Sequence, residues 1–280
     1  MALSQPGGPA PQALEDAAQE VAPWIVGLAR VGYLAKALLY ATVGILAAQA
    51  ALGSGGRTTD LGGALRSVVR APLGDAMLLV IAVGLAGYAV WRVVDAVTDA
   101  EGRGGDLKGV AIRVGSAFRG LAHAALALAA YRLATGSGNG DGPGSEQLVA
   151  RALDLPGGEA LVWLGAGAVL AYGGYQLYRA YAAKLGRHLS LAALPAGSAR
   201  WVIALCRSGI AARGVVFVLM GILLVRTAAQ RDPTEAGGLR ESLEMLADMG
   251  RWPLTVVALG LVAYALYELL NARYRRIRVA

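Results

Sequence analysis

A short pattern recurs three times along this chain, each time at the start of an apolar run. It consists of Arg, any residue, Gly, three residues, a second basic residue and then Ala or Gly. Its three copies are RVGYLAKA at 30–37, RVGSAFRG at 113–120 and RSGIAARG at 207–214. Four residues after each second base comes an aromatic ring, and four residues later comes a small residue. Repetition in register indicates internal duplication, so the chain is predicted to contain three copies of one unit.

Each copy has a second apolar run with a spacing of its own. GLAGYAVWRVVD at 84–95, AYGGYQLYRAYA at 171–182 and GLVAYALYELLN at 260–271 align without gaps. With their flanking residues, both kinds of run reach the roughly 20 residues that a helix needs to cross about 30 Å of hydrocarbon. Each copy is therefore predicted to be a pair of membrane helices. Because two spans return the chain to its starting side, the copies are predicted to be parallel repeats.

The predicted fold class is an all-α membrane protein with six transmembrane helices, arranged as three parallel αα hairpins with pseudo-threefold symmetry. Composition agrees, because only 16% of the residues are charged and the mean hydropathy is +0.51, whereas a soluble domain is nearer a quarter charged. The predicted segments are an N-terminal tail at 1–23, repeat 1 at 24–99 (helices 28–52 and 74–98), repeat 2 at 109–185 (helices 111–134 and 159–184), a linker at 186–200 and repeat 3 at 201–277 (helices 205–228 and 252–272).

Basic residues are distributed unequally between the two ends of the predicted helices. The end that carries both termini holds 17 of the 26 Lys and Arg residues. The positive-inside rule therefore predicts cytoplasmic termini, tail and linker in a multi-pass protein of the bacterial inner membrane. The net charge of +7 is therefore explained by the bases at the cytoplasmic end of the helices. Nucleic acid is not needed to explain it and is not an expected partner.

The basic positions of the repeated pattern are the candidate binding residues. The second base lies six residues inside the first, or roughly 9 Å deeper at 1.5 Å per residue, which is inner-leaflet depth. Its side chain could snorkel to lipid headgroups, converge on the pseudo-threefold axis to bind an anion or lipid phosphate, or pair with acids such as Asp95 and Glu268. The first bases are Arg30, Arg113 and Arg207, and the deeper ones are Lys36, Arg119 and Arg213.

Aromatic residues form a second repeated set. On the first helices the base, the ring and the small residue are spaced four apart and share one face, which is typical of a contact between helices. The rings of the second helices could equally form an aromatic belt at the membrane surface. The first helices carry Tyr40, His123 and Phe217, and the second helices carry Tyr88, Tyr175 and Tyr264 followed by Trp91, Tyr178 and Tyr267.

The sequence offers little for catalysis. One cysteine and two histidines leave no intrachain disulfide and make a multi-histidine metal site improbable, and no Ser/His/Asp set or carboxylate pair is visible. We therefore expect neither an enzyme, nor a metal, nor a cofactor. His123 would suit a haem or pigment. The equivalent positions in the other two copies, which we call its sister positions, hold Tyr40 and Phe217, so the repeat needs an aromatic ring at this position rather than a ligand.

Three functional hypotheses stay open at this point. The first is a non-enzymatic structural or accessory protein that packs with lipid or with other membrane subunits. The second is a small channel or transporter in which an inner-leaflet ring of bases selects anions or lipid phosphate. The third is a cofactor-binding membrane protein that uses His123. The expected partners are the bilayer, anionic lipid within it and another membrane protein.

A family resemblance rests on the first copy. ARVGYLAKALLYATVGILA at 29–47, the GGAL turn with its following APLG, and GLAGYAVWRVVDAVTD at 84–99 resemble the bacterial integral-membrane family called domain of unknown function 1206, built from three tandem two-helix units. The resemblance covers nearly all of 24–277 and is weakest in the second copy, where Ser116 stands for Tyr33. It implies a fold and a membrane location. It implies no activity and no site residues.

Overall fold

The structure is a computed structural model that describes residues 10–99, 102, 104–138, 144–182 and 197–274. This part of the chain contains helices and no strands, so the all-α class is confirmed. Three of the helices are short, and one short helix lies between the two long helices of each repeat. In chain order the helices are α1 Ala10–Ala51, α2 Leu61–Val69, α3 Gly74–Thr98, α4 Leu107–Ala134, α5 Ser145–Leu153, α6 Gly158–Ala182, α7 Ala199–Gln230, α8 Leu239–Asp248 and α9 Arg251–Tyr274.

Five stretches of the long helices are long and apolar enough to cross a membrane, as in a multi-pass membrane protein. They are Gly27–Ala51, Gly74–Thr98, Gly158–Ala182, Ala199–Gln230 and Arg251–Tyr274. The long helix outside this set is α4, whose apolar run is interrupted by Arg119 and His123. At 28 residues it is nevertheless about 42 Å long, which exceeds the hydrocarbon thickness.

Two predicted segments differ from the structure or fall outside it. In the segment predicted as a tail at 1–23, α1 begins at Ala10, so the residues from there on belong to the first long helix. Residues 1–9 lie outside the described part. Most of the linker at 186–200 also lies outside it, and α7 already begins at Ala199.

The short helices close one end of the bundle. Each is amphipathic and buries the side chain at its fifth position, namely Leu65 in α2, Val149 in α5 and Leu243 in α8. The start of α2 is fixed by Asp60, whose Oδ1 accepts a hydrogen bond from the Gly63 N–H at 2.6 Å, as an N-cap residue does. We call this end of the molecule the capped end, and the opposite end, near Arg30, the basic end.

The second helix of each repeat packs on the first helix of the next, which gives the pairs α3–α4, α6–α7 and α9–α1. Small residues allow these close approaches. A Cβ on Gly44 would lie 2.9 Å from the Ala258 carbonyl oxygen, and one on Gly221 would lie 2.6 Å from the Leu170 Cγ. Three equivalent interfaces therefore connect the repeats, and they use the small residues of the repeated pattern.

Contacts within the repeats are not equivalent. In repeats 1 and 3 the long helices pack tightly, because a Cβ on Gly32 would lie 2.5 Å from the Tyr88 Cβ and one on Gly209 would lie 2.4 Å from the Tyr264 backbone nitrogen. In repeat 2, α4 and α6 make almost no contact, and a Cβ on Gly115 would meet nothing within 4 Å. We call the gap between α4 and α6 the α4–α6 seam. The six long helices thus form a ring that is open at the seam.

Apolar side chains fill the ring near the capped end. Leu39, Val43, Leu78, Leu254 and Leu261 are buried there in one cluster that includes Leu65 and Leu243 of the short helices. Polar side chains occupy the interior near the basic end. Apolar side chains therefore close the interior of the bundle near the capped end, and the polar side chains of the interior lie near the basic end. We call this apolar cluster the apolar plug.

Candidate anion-binding site

A polar cavity occupies the interior of the ring near the basic end. Each of the six long helices contributes one charged side chain to its lining: Lys36, Arg92, Arg119, Arg179, Arg213 and Glu268. The set consists of two groups of sister positions, one on the first helices of the repeats and one on the second helices. The cavity among these side chains has a volume of about 40 Å³, and by the same measure one water molecule needs ~10–15 Å³.

Lys36 is held by a carboxylate. Its Nζ lies 2.7 Å from Glu268 Oε1, and the side chains are only 6% and 2% exposed. The ammonium group also lies 4.6 Å from the centre of the Tyr88 ring, within cation–π range. Glu268 further accepts hydrogen bonds from the Tyr264 hydroxyl and from Asn271 Nδ2. Lys36 and Glu268 therefore form a buried ion pair that joins α1 to α9.

Arg213 is held by aromatic residues. Its Nε donates to the Tyr40 hydroxyl at 3.0 Å, and its Nη1 donates to the Tyr172 hydroxyl at 3.1 Å. The guanidinium carbon also lies 4.9 Å from the centres of both the Phe217 and the Tyr264 rings. Among the residues that the structure describes, no carboxylate lies within ion-pair distance of Arg213. This charge is oriented by tyrosines and is not neutralised by them.

Arg119 is also without a carboxylate partner within the described residues. Its Nε donates to the Gly115 carbonyl oxygen at 3.1 Å, and its Nη2 donates to Ser116 Oγ at 2.9 Å. The guanidinium groups of Arg119 and Arg213 lie beside the same ring, with their carbons 6.0 and 5.7 Å from the centre of Tyr172. Two cations thus lie near Tyr172 in the lining of the cavity.

His123 lies next to these arginines. Its Nδ1 is 2.6 Å from the Arg119 carbonyl oxygen. Since a carbonyl can only accept, Nδ1 carries the hydrogen, and in the neutral imidazole Nε2 then has the lone pair. The ring centre lies 4.7 Å from that of Tyr88. The described residues contain no group of three or more His, Cys, Asp or Glu side chains suited to a metal.

The two remaining bases of the cavity lie on the second helices. Arg92 Nε donates to the Tyr88 hydroxyl at 2.9 Å, and its Nη1 lies 3.5 Å from Asp95 Oδ2. Arg179 Nη2 donates to the Tyr267 hydroxyl at 2.6 Å. Five bases and one carboxylate line the cavity, so its lining is strongly positive even with Asp95 counted beside Arg92.

Comparison with known proteins now decides the family. The model of the family described as Domain of Unknown Function (DUF1206) matches three ranges of the chain, residues 31–99, 114–183 and 208–275. Each range begins one residue after the first arginine of the repeated pattern. The chain belongs to the DUF1206 family. The three tandem repeats predicted from the sequence are thereby confirmed.

One relative extends the DUF1206 match over nearly the whole chain. The protein is 30% identical over 259 residues to the "Uncharacterized protein YxxB" of Bacillus subtilis (strain 168), an alignment that covers 92% of this chain and 94% of that protein. No solved structure matches the chain. The family match supports an architecture of three repeats in this chain, and neither the family's description nor the relative's name states an activity.

The first bases of this DUF1206 chain do not join the cavity. Arg30 and Arg207 are exposed. Arg113 donates from Nε to the Ala96 carbonyl oxygen at 2.7 Å and from Nη2 to that of Val97 at 2.9 Å, so it caps the end of α3. The deeper bases Lys36 and Arg213 are buried, and the snorkelling interpretation does not describe them.

The aromatic positions divide according to repeat. Tyr88, Trp91, Tyr264 and Tyr267 are buried, and Tyr40 contacts the Tyr264 ring with its own centre 4.7 Å away. Their sisters in repeat 2 are exposed, Tyr175 by 52% and Tyr178 by 68%. The difference follows from the seam, because α6 has no neighbour on the side that these two rings occupy.

Sequence reasoning missed part of the lining. Tyr172 bridges the two arginines, yet its sister positions are Leu85 and Leu261, so no repeat pattern pointed to it. Arg92 and Arg179 had a visible signal, since they share one column of the aligned second helices with Glu268. That column reads Arg, Arg and Glu, and the change of sign in the third copy concealed the two bases.

Proposed function

We propose that this protein is a six-span, pseudo-threefold membrane protein that binds a phosphate-bearing anion in the cavity at its basic end. In this proposal α4 is the sixth span, the membrane is the bacterial inner membrane, and both termini are cytoplasmic, as the excess of bases at that end favours. The cavity then opens at the depth of the inner leaflet. No catalytic step is proposed.

The observation that carries the proposal is the pair Arg119 and Arg213, which approach one cavity without a carboxylate partner among the described residues. Withdrawing an ion from water costs several kcal/mol even after relaxation, so a compensating anion would stabilise the buried Arg213 and the partly buried Arg119. Guanidinium groups match the geometry of phosphate oxygens and are the usual choice for binding them. Arg213 is 8% exposed and fixed by two tyrosines, which orients its remaining nitrogen before any ligand arrives.

The apolar plug at the capped end bears on the kind of function. A selective open channel needs a continuous polar path across the protein. Here the leucines that lie between the cavity and the short helices α2 and α8 interrupt such a path. The arrangement favours a binding protein, or a transporter that must change conformation, over an open anion channel. A purely structural role would leave the convergence of five bases without a purpose.

The test is ligand-dependent stability. The protein is purified in an uncharged detergent, and its thermal midpoint is measured with inorganic phosphate and with chloride at equal ionic strength. A ligand present at 100 times its Kd stabilises by about 2.7 kcal/mol, and a chain of this size shifts by roughly 2–4 °C per kcal/mol. We expect phosphate to raise the midpoint by several degrees in the wild type.

Arg213→Gln and Arg119→Gln should lose most of the phosphate effect, because each removes one of the cations without a carboxylate partner. Arg207→Gln is the matched control, since Arg207 is exposed on the same helix as Arg213 and outside the cavity. Equal midpoints in phosphate and chloride for the wild type, or an unchanged phosphate effect in both cavity variants, would contradict the proposal.

A further inference from the structure

The open seam has a cause in the sequence of repeat 2. In repeat 3 a Cβ on Gly260 would lie 2.2 Å from the Ala212 Cβ, so the helices cross where both side chains are minimal. In repeat 2 the sister positions hold Ala171 and Phe118. A phenyl ring cannot occupy the space of a methyl group at such a crossing. Phe118 is accordingly 69% exposed, whereas Ala212 is buried.

The seam leads to the basic cavity. Arg119 and His123 from one side of the seam and Tyr172 and Arg179 from the other side belong to the cavity lining. Both helices that border the seam therefore contribute to the lining of the charged interior. In repeats 1 and 3 the equivalent path is closed by the contacts of Gly32 and Gly209 described above.

The seam and the cavity differ in chemistry. Phe118, Tyr175 and Tyr178 are exposed on the two helices that border the seam, and bulk hydrocarbon surrounds such surfaces in a membrane. The cavity behind them presents Arg119 and Arg213. A ligand that satisfies both has a phosphate at one end and acyl chains at the other.

We infer that the ligand of the basic cavity is an anionic phospholipid, whose headgroup enters from the inner leaflet through the α4–α6 seam while its acyl chains stay between α4 and α6. The inference rests on the proposed function and specifies its ligand. An apolar helix of a second copy would cover the seam but would leave both arginines without a counter-charge, which makes lipid the better complement.

The test blocks the seam without touching the cavity. Gly174 has open space around it and is the sister of Gly87, which faces the partner helix in repeat 1. Gly174→Cys is prepared in a Cys206→Ala background and labelled with a bulky maleimide. Val90→Cys, exposed on α3 away from the seam, is the matched control. Proteins in nanodiscs of phosphatidylcholine doped with phosphatidylglycerol are released, and native mass spectrometry counts the lipids that remain bound.

We expect the unlabelled proteins to retain one phosphatidylglycerol in preference to phosphatidylcholine. Labelling at 174 should reduce this retention at least tenfold and leave stabilisation by inorganic phosphate within twofold, while labelling at 90 should change neither. Arg213→Gln should lose both the lipid and the phosphate effect. Phe118→Ala with Ala171→Gly restores the small pair of repeat 3, and should also reduce lipid retention by letting α4 and α6 pack together.

Each contrary result has its own meaning. Phosphate stabilisation without any retained phosphatidylglycerol would overturn the lipid assignment and leave the anion site standing. Full lipid retention after labelling at 174 would show that the lipid binds elsewhere and overturn the seam route. A stable dimer that dissociates on labelling at 174 would assign the seam to a second copy. If Arg213→Gln kept both the bound lipid and the stabilisation by phosphate, the assignment of the cavity as the binding site would be overturned.

Discussion

Three sister glycines allow the asymmetry of the ring to be measured. Gly32, Gly115 and Gly209 occupy the same place in the repeated pattern, and each is replaced singly by Ala. The new Cβ would lie 2.5 Å from the Tyr88 Cβ at position 32 and 2.4 Å from the Tyr264 backbone nitrogen at position 209, but would meet nothing at position 115.

The magnitude follows from these distances. Nonbonded heavy atoms rest near 3.5–4.0 Å, so helices must separate by about 1 Å at the two tight sites, and such overpacking costs ~1–3 kcal/mol. The helix-propensity gain of Gly→Ala, up to ~1 kcal/mol, applies to all three variants and cancels when they are compared. Gly115→Ala should therefore be more stable than the other two by ~1–3 kcal/mol, or roughly 2–12 °C in thermal midpoint.

The assay is thermal unfolding in detergent, followed by the loss of the monodisperse peak in size-exclusion chromatography. Gly115→Ala should equal or exceed the wild type, and the other two variants should fall below it. If Gly115→Ala were destabilised as much as Gly209→Ala, the seam would be closed in solution and the reasoning about an open ring would be refuted.

Further predictions concern the ion pair, the topology and α8. Glu268→Gln should destabilise the protein by about 3–5 kcal/mol, since it leaves Lys36 buried without a carboxylate. Adding Lys36→Met should recover part of this loss, and equal stability of the single and the double variant would argue against the ion pair. Reporter fusions after residue 280 or between 185 and 200 should read cytoplasmic, and fusions near 140 or 235 external; a cytoplasmic reading at 140 would exclude six spans. Burial raises the pKa of Glu241, but hydrogen bonds from its own backbone, the Arg240 guanidinium and the Gly238 N–H outweigh this and hold its pKa below the usual range. Its contribution to α8 is therefore present above the ordinary carboxylate pKa and lost as the pH falls through the lower folded value. The protection factors of the α8 amides, which are corrected for the intrinsic pH dependence of exchange, should fall only there, and Glu241→Gln should abolish that dependence.

The sequence by itself determined the repeated architecture. A base, a ring and a small residue at fixed spacing in three copies require three similar helices, and hydropathy requires those helices to be apolar along most of their length. The short helix in each connection follows from its own amphipathic pattern. These properties are local, because a helix and its apolar face depend on residues only three or four positions apart.

Only the tertiary structure decided where the bases point and which hairpin stays open. Lys36 could have snorkelled, and its burial depends on Glu268, which lies 232 positions away in the chain. The sequence shows Gly115 as equal to Gly32 and Gly209, yet its packing depends on Phe118 meeting Ala171 across a helix crossing. Such outcomes are set by distances between helices of about a methyl group's width, and spacing along one chain carries no information about that distance.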